Sequence, residues 1–185
     1  MFTSYLKLGF EHILDPNGLD HVLFILVLTV PFVLKDWKKV VLLATAFTFG
    51  HSLTLALASS DIIKVNSSMV EILIAVTIFI TAVFNIVEFS KSKVSVKYTT
   101  ALIFGLIHGM GFSNFFKSIL GKDEIVWPLF AFNIGVELAQ IVIVLLTLVL
   151  GFIAVRFFRV KQKYWVYGIS GFILLWALKM VFERI

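Results

Sequence analysis

From residue 19 to residue 182 the chain is a succession of apolar runs, each close to bilayer length. They fall at about 19–34, 40–58, 69–89, 98–116, 126–155 and 165–182, where a helical span requires roughly 20 residues. None shows the period-2 alternation of an outer-membrane strand. The pattern predicts an all-α integral membrane bundle of six transmembrane helices, one membrane domain over residues 1–185, with the lipid bilayer as its solvent. Composition agrees, since 60% of the residues are hydrophobic and only 15% are charged. The mean hydropathy is +1.03, far from that of a soluble domain. A net charge of +5 is no nucleic-acid signal, because the basic residues stand in short loops between apolar runs. Nucleic acid is therefore not an expected partner. Cysteine is absent, which removes disulfides and thiolate metal ligands.

Residues 1–18 are too short to span. Lys7, Glu11 and His12 stand among apolar neighbours, which reads as a short N-terminal interfacial helix. The turn Asp15-Pro16-Asn17-Gly18 follows. A basic n-region and a small-residue cleavage site are both lacking, so the first span is expected to act as its own insertion signal. Ten of the sixteen basic residues flank alternate connections: Lys35, Lys38, Lys39, Lys91, Lys93, Lys97, Arg156, Arg159, Lys161 and Lys163. The positive-inside rule makes that side cytoplasmic. Both termini then lie outside, in a bacterial inner membrane. Small residues four apart predict close helix seams: Ala101, Gly105 and Gly109; Ala46 and Gly50; Gly135 and Ala139.

Polar residues inside the runs carry the functional signal. Thr48, His51 and Ser52 share one helical face. His108 falls at a similar depth on a parallel span. Asn133, Glu137 and Gln140 share one face of the fifth run, with Asn133 level with the two histidines and Glu137 a turn deeper. Asp20 and His21 open the first span and Glu71 opens the third. All four histidines thus fall in the outer half of the membrane, while the cytoplasmic half is polar mainly at Asn85 and Glu88. Structural roles compete at several positions. Asp20 follows Asn17 at N-cap–N3 spacing, and Glu71 suits a helix N-terminus. His12 suits the interface, and Asn133 and Gln140 suit interhelical hydrogen bonds. Buried His51, His108 and Glu137, with no intramembrane Lys or Arg at matching depth, need a cation, protons or each other. His, Asp, Glu and Asn without Cys form a borderline-to-hard ligand set, suited to a divalent Ni, Co, Zn, Fe or Mn ion rather than Cu(I). The candidate metal ligands are His21, His51, His108, Asp20, Glu137, Asn133, Glu71 and His12.

Several segments, in order, resemble the HupE/UreJ family of small polytopic membrane proteins linked to hydrogenase and urease maturation. They are Glu11-His12-Ile13-Leu14 with Gly18-Leu19-Asp20-His21, the run from Phe47 to Thr54, Val70-Glu71, the run from Phe104 to Phe112, and the run from Phe132 to Gln140. The resemblance implies a six-span fold and nickel or cobalt permeation, with the first His and the Asp-His pair as metal-binding. Seven residues, Ile13 to Leu19, separate His12 from Asp20, where the family's usual motif has five. Met110 and Gly111 follow His108-Gly109 where the hydrogenase-linked members carry an acidic residue. The resemblance is therefore to the second, less characterised branch.

Two function classes fit these residues. A permease would receive a divalent metal ion at Asp20, His21 and Glu71 and hold it at His51, His108, Asn133 and Glu137. Few polar residues continue the path inward, so a homo-oligomer or a conformational opening would complete it. Alternatively, a zinc-dependent intramembrane hydrolase would use three His and a carboxylate, with Glu137 as general base, on a lipid or lipidated substrate. A metal-free mechanism at Ser52 or Ser113 lacks a Gly-x-Ser-x-Gly elbow. A metal-sensing membrane partner is a third reading. The permease is favoured, chiefly on the resemblance.

Overall fold

The computed structural model describes residues 1–16, 18–87, 94–120 and 125–185. Eight α-helices and no strand occur among them. They are α1 (Phe2–Ile13), α2 (Asp20–Thr29), α3 (Trp37–Ser59), α4 (Ser67–Val87), α5 (Val94–Gly111), α6 (Ser113–Leu120), α7 (Val126–Arg156) and α8 (Gln162–Arg184). Four helical stretches among the described residues are long and apolar enough to cross a bilayer: Leu34–Ser59, Ser67–Val87, Val126–Arg156 and Gln162–Arg184.

The first expected span, 19–34, is cut short. α2 has ten residues, roughly 15 Å of helix, or half a bilayer core. Pro31 cannot continue it, and Val30 before the proline closes its last turn. A 3₁₀ turn at Leu34–Asp36 then leads into α3. α2 buries residues all round its axis, Leu23, Phe24, Ile25, Val27 and Leu28 among them, and so occupies the middle of the bundle. Asn85 anchors it near its C-terminal end, donating from Nδ2 to the Val27 carbonyl at 2.6 Å and to Ser170 Oγ at 3.2 Å. Glu88, expected beside Asn85, lies outside the described residues, as do Lys91 and Lys93.

The fourth expected span, 98–116, is two helices. α5 ends at Gly111 and α6 starts at Ser113. Gly109 and Gly111 weaken the helix here, and Ser113 Oγ donates to the Met110 carbonyl at 2.7 Å.

Two of the expected small-residue seams meet each other, that of α3 and that of α5. A Cβ on Gly50 would lie 2.3 Å from the Leu102 carbonyl oxygen, and one on Gly105 would lie 2.2 Å from that of Phe47. A Cβ on Gly109 would lie 2.0 Å from the carbonyl oxygen of His51. Thr54 crosses the seam, its Oγ1 2.7 Å from the Leu106 carbonyl oxygen. Gly135 does not face a long helix. It meets α1, a Cβ there falling 2.0 Å from the Leu6 carbonyl oxygen, as a Cβ on Gly9 would from that of Phe132. α1 is therefore docked lengthwise against the first half of α7, where a flat interfacial helix was expected. Its Gly9 and Ile13 are buried.

The basic loops gather at one end of the bundle. Tyr98 donates to the Lys39 carbonyl at 3.2 Å, and Lys97 lies over the Phe32 ring at 4.7 Å. Arg184, Lys117 and Asn114 mark the other end, where Lys117 pairs with Asp61 and Asn114 donates to Ser67 Oγ at 2.9 Å.

Candidate metal centre

Each histidine arrives on a different helix. His12 stands in the last turn of α1, His21 in the first turn of α2, His51 in the middle of α3 and His108 near the end of α5. The α3–α5 glycine seam sets His51 and His108 side by side, and α2 in the bundle centre presents His21 to both. Ring centroids are 4.6 Å apart for His12–His21, 5.3 Å for His21–His108, 5.7 Å for His21–His51 and 5.9 Å for His12–His51. One ligand nitrogen from each of His12, His21 and His51 falls within 4.8 Å of the other two. His51 and His108 are essentially sealed from solvent, at 0% and 1% exposure.

The hydrogen bonds leave these rings with lone pairs to give. His108 Nδ1 lies 2.9 Å from the Phe104 carbonyl oxygen. A carbonyl only accepts, so the proton sits on Nδ1 and Nε2 presents its lone pair. That Nε2, the Nε2 atoms of His12 and His21, and both ring nitrogens of His51 are buried without a hydrogen-bond partner. Buried polar groups in native proteins are nearly always paired. Five imidazole nitrogens are unpaired here, and since a neutral ring keeps one N–H, His51 offers a lone pair from one of its two. Neutral imidazole is also the form that coordinates.

A cavity of about 390 Å³ leads to the rings, lined among others by Asp15, Asp20, Glu71, His12, His21 and His108. The carboxylates make its mouth attractive to cations. Asp20 is the first residue of α2, whose N-cap is Leu19, and Asn17, with which the capping reading paired it, lies outside the described residues. The Asp20 carboxylate is 3.0 Å from Arg184 Nη2, and Arg184 Nη1 also donates to the Glu71 carbonyl at 2.8 Å. The end of α8 thus ties the starts of α2 and α4 together across the cavity.

Aromatic rings close the centre on its other sides. Phe112 lies 4.0 Å from His12 and 5.2 Å from Phe132, and Phe132 lies nearly parallel to His51 at 6.4 Å. Phe24 and Phe47 each stand 5.0 Å from His108. A second, more apolar cavity of about 730 Å³ opens beside His12, lined by Leu8, Phe10, Leu14, Phe112 and Phe115 among others.

Of the other expected ligands, Glu137 on α7 accepts from Thr45 Oγ1 at 2.6 Å, and Thr45 stands six positions before His51 on α3. Gln140 lies 3.1 Å from Thr48 Oγ1, and Asn133 Oδ1 is buried without a partner. Ser52 and Ser113, weighed as nucleophiles, donate to the carbonyls of Thr48 at 2.6 Å and Met110 at 2.7 Å.

The description of the family model that matches residues 1–184 is HupE / UreJ protein. The chain belongs to the HupE/UreJ family. No curated relative and no solved structure matches it. In this HupE/UreJ protein the lengthened interval between His12 and Asp20 is absorbed by the turn. Gly18 N donates to the Asp15 carbonyl at 3.1 Å, and the two rings of His12 and His21 still meet. Asp15, Phe112 and Arg184 line the cavity without having been singled out as site residues in the sequence. Asp15 had a signal, as a carboxylate three residues after His12. Arg184 had none, lying 164 residues from Asp20.

Proposed function

We propose that this protein is a permease for a divalent transition-metal ion, with nickel or cobalt suggested by its family. In this reading six membrane-crossing segments form one bundle in a bacterial inner membrane, and both termini and the acidic cavity face outward. α2 and the α5–α6 pair supply the two segments that fall short of a full apolar span. The ion enters through the cavity and is held by His12, His21, His51 and His108. The observation that carries the reading is the convergence of three buried imidazoles and the half-buried His12, each with an unpaired nitrogen, at the end of an acid-lined entrance.

The test joins two measurements. Elemental analysis of purified protein should find nickel, cobalt or zinc, and proteoliposomes should accumulate the metal. His51→Ala should lose both. Wild-type protein that binds metal without moving it would leave the zinc-hydrolase alternative, which the apolar cavity beside His12 favours because an acyl chain fits there. In that case three protein ligands and a water should surround the ion.

A further inference from the structure

We propose a second, inner cation station on the seam between α3 and α7, an all-oxygen site centred on Glu137. It rests on the permease reading and supplies the inward step that the imidazoles lack. Thr45 stands six positions before His51, which places the station about 9 Å further along α3.

α7 presents Asn133, Glu137 and Gln140 at i, i+4 and i+7, on one face. α3 answers with Thr45, 2.6 Å from Glu137 Oε1, and Thr48, 3.1 Å from Gln140 Oε1. Gln140 is fully buried. Asn133 Oδ1, Glu137 Oε2 and Gln140 Nε2 are buried and make no hydrogen bond. No Lys or Arg pairs with Glu137 among the described residues.

The Gln140 amide has a better orientation. Thr48 Oγ1 also lies 3.1 Å from the Ala44 carbonyl oxygen, and a hydroxyl has one proton to donate. With that proton on Ala44, the amide satisfies Thr48 by turning Nε2 toward it. Oε1 then takes the unpaired position, an exchange that amide geometry readily accommodates. The seam then holds three unpaired oxygens, from a carboxylate and two amides, on one face of α7. Acceptors alone, buried in an apolar bundle, are completed by a cation. Oxygen ligands suit harder ions than imidazole does and hold late transition metals less strongly. Passage requires sites that bind and then release, and a weaker oxygen site below a stronger nitrogen site meets that requirement.

Mn²⁺ is the probe, because it favours oxygen ligands and its free form is read by electron paramagnetic resonance. Purified H21A/H51A protein should bind Mn²⁺, and adding E137Q should lower that affinity by about tenfold or more, the scale of losing a ligand's support. E137D should retain more affinity than E137Q, which separates a lost charge from a lost fold. Should E137Q not fold, Q140L decides, and an affinity for Mn²⁺ there equal to that of H21A/H51A overturns the station. Absent Mn²⁺ binding, or binding indifferent to E137Q, also overturns it, with the imidazole centre left standing. If wild-type protein neither binds nor moves Ni²⁺, the permease reading fails, and the Mn²⁺ titration still decides the station by itself.

Discussion

Gly109→Ala is the sharpest test of the geometry that brings His51 and His108 together. Its Cβ would lie 2.0 Å from the His51 carbonyl oxygen, 2.7 Å from the His51 carbonyl carbon and 2.4 Å from Thr54 Oγ1. Ordinary contact begins at 3.4 Å, so α3 and α5 must part locally by about 1.4 Å, the difference of the two distances (3.4 − 2.0). Thr54 Oγ1 can swing aside, but the closest opposing group, the His51 carbonyl, is backbone and cannot. Overpacking of this kind costs about 1–3 kcal/mol. Metal–ligand distances tolerate only about 0.2 Å, so a shift of this size at His51 should weaken metal binding by about 10–100-fold. Gly168 and Gly171 on α8 have nothing within 4 Å of such a Cβ. Alanine there should leave binding unchanged and should stabilise the helix by about 0.5–1 kcal/mol. Equilibrium dialysis against Ni²⁺ and thermal unfolding in detergent read both quantities. Gly109→Ala with the affinity and melting temperature of Gly168→Ala would refute the close-packed seam as the device that sets the centre.

Other outcomes follow from the same structure. Gly9→Ala, whose Cβ would stand 2.0 Å from the Phe132 carbonyl oxygen, should undock α1 and remove His12 from the centre. Dialysis should then find metal affinity reduced by less than in His21→Ala or His51→Ala. Affinity should fall on acidification, because protonated imidazole cannot coordinate. An affinity unchanged down to the pH at which the protein unfolds would exclude imidazole ligands. Because the chain has no cysteine, single cysteines can be placed at will: Ile62→Cys should react with an impermeant thiol reagent from outside and Lys161→Cys from inside. The reverse pattern would overturn the orientation.

How much of this was legible in the sequence depends on the range over which each signal acts. The apolar runs located α3, α4, α7 and α8 within a few residues, because a helix in lipid must be apolar over its whole length. Hydropathy could not see Pro31 end α2 early, or Ser113 and the nearby glycines divide α5 from α6, since each acts through one backbone bond. His21, His51 and His108 were linked by depth alone, and depth is a count of residues along each helix. His12 was placed at the interface because its helix is amphipathic. The signal that docks it in the bundle was a pair of glycines, Gly9 and Gly135, one of which had been assigned to a different seam. The Asp20–Arg184 pair joins the two ends of the chain, and no local spacing could have revealed it. Glu137 was expected beside the imidazoles because helix periodicity gives the face but not the neighbour, and its neighbour is Thr45.

On the permease reading, the rings of Phe24, Phe47, Phe112 and Phe132 around the imidazoles bear on which ions the centre would hold. None of these four side chains can hydrogen-bond to a water carried in with an ion. A cation passing from the acidic cavity to the histidines must therefore exchange its hydration shell for nitrogen within a few ångströms. Ni²⁺, Co²⁺ and Zn²⁺ accept that exchange because imidazole is a good ligand for them. Mg²⁺ gives up its water reluctantly and prefers oxygen, so its abundance is no advantage here. On the permease reading, rings that offer no oxygen behind the imidazoles favour an ion that takes nitrogen over Mg²⁺.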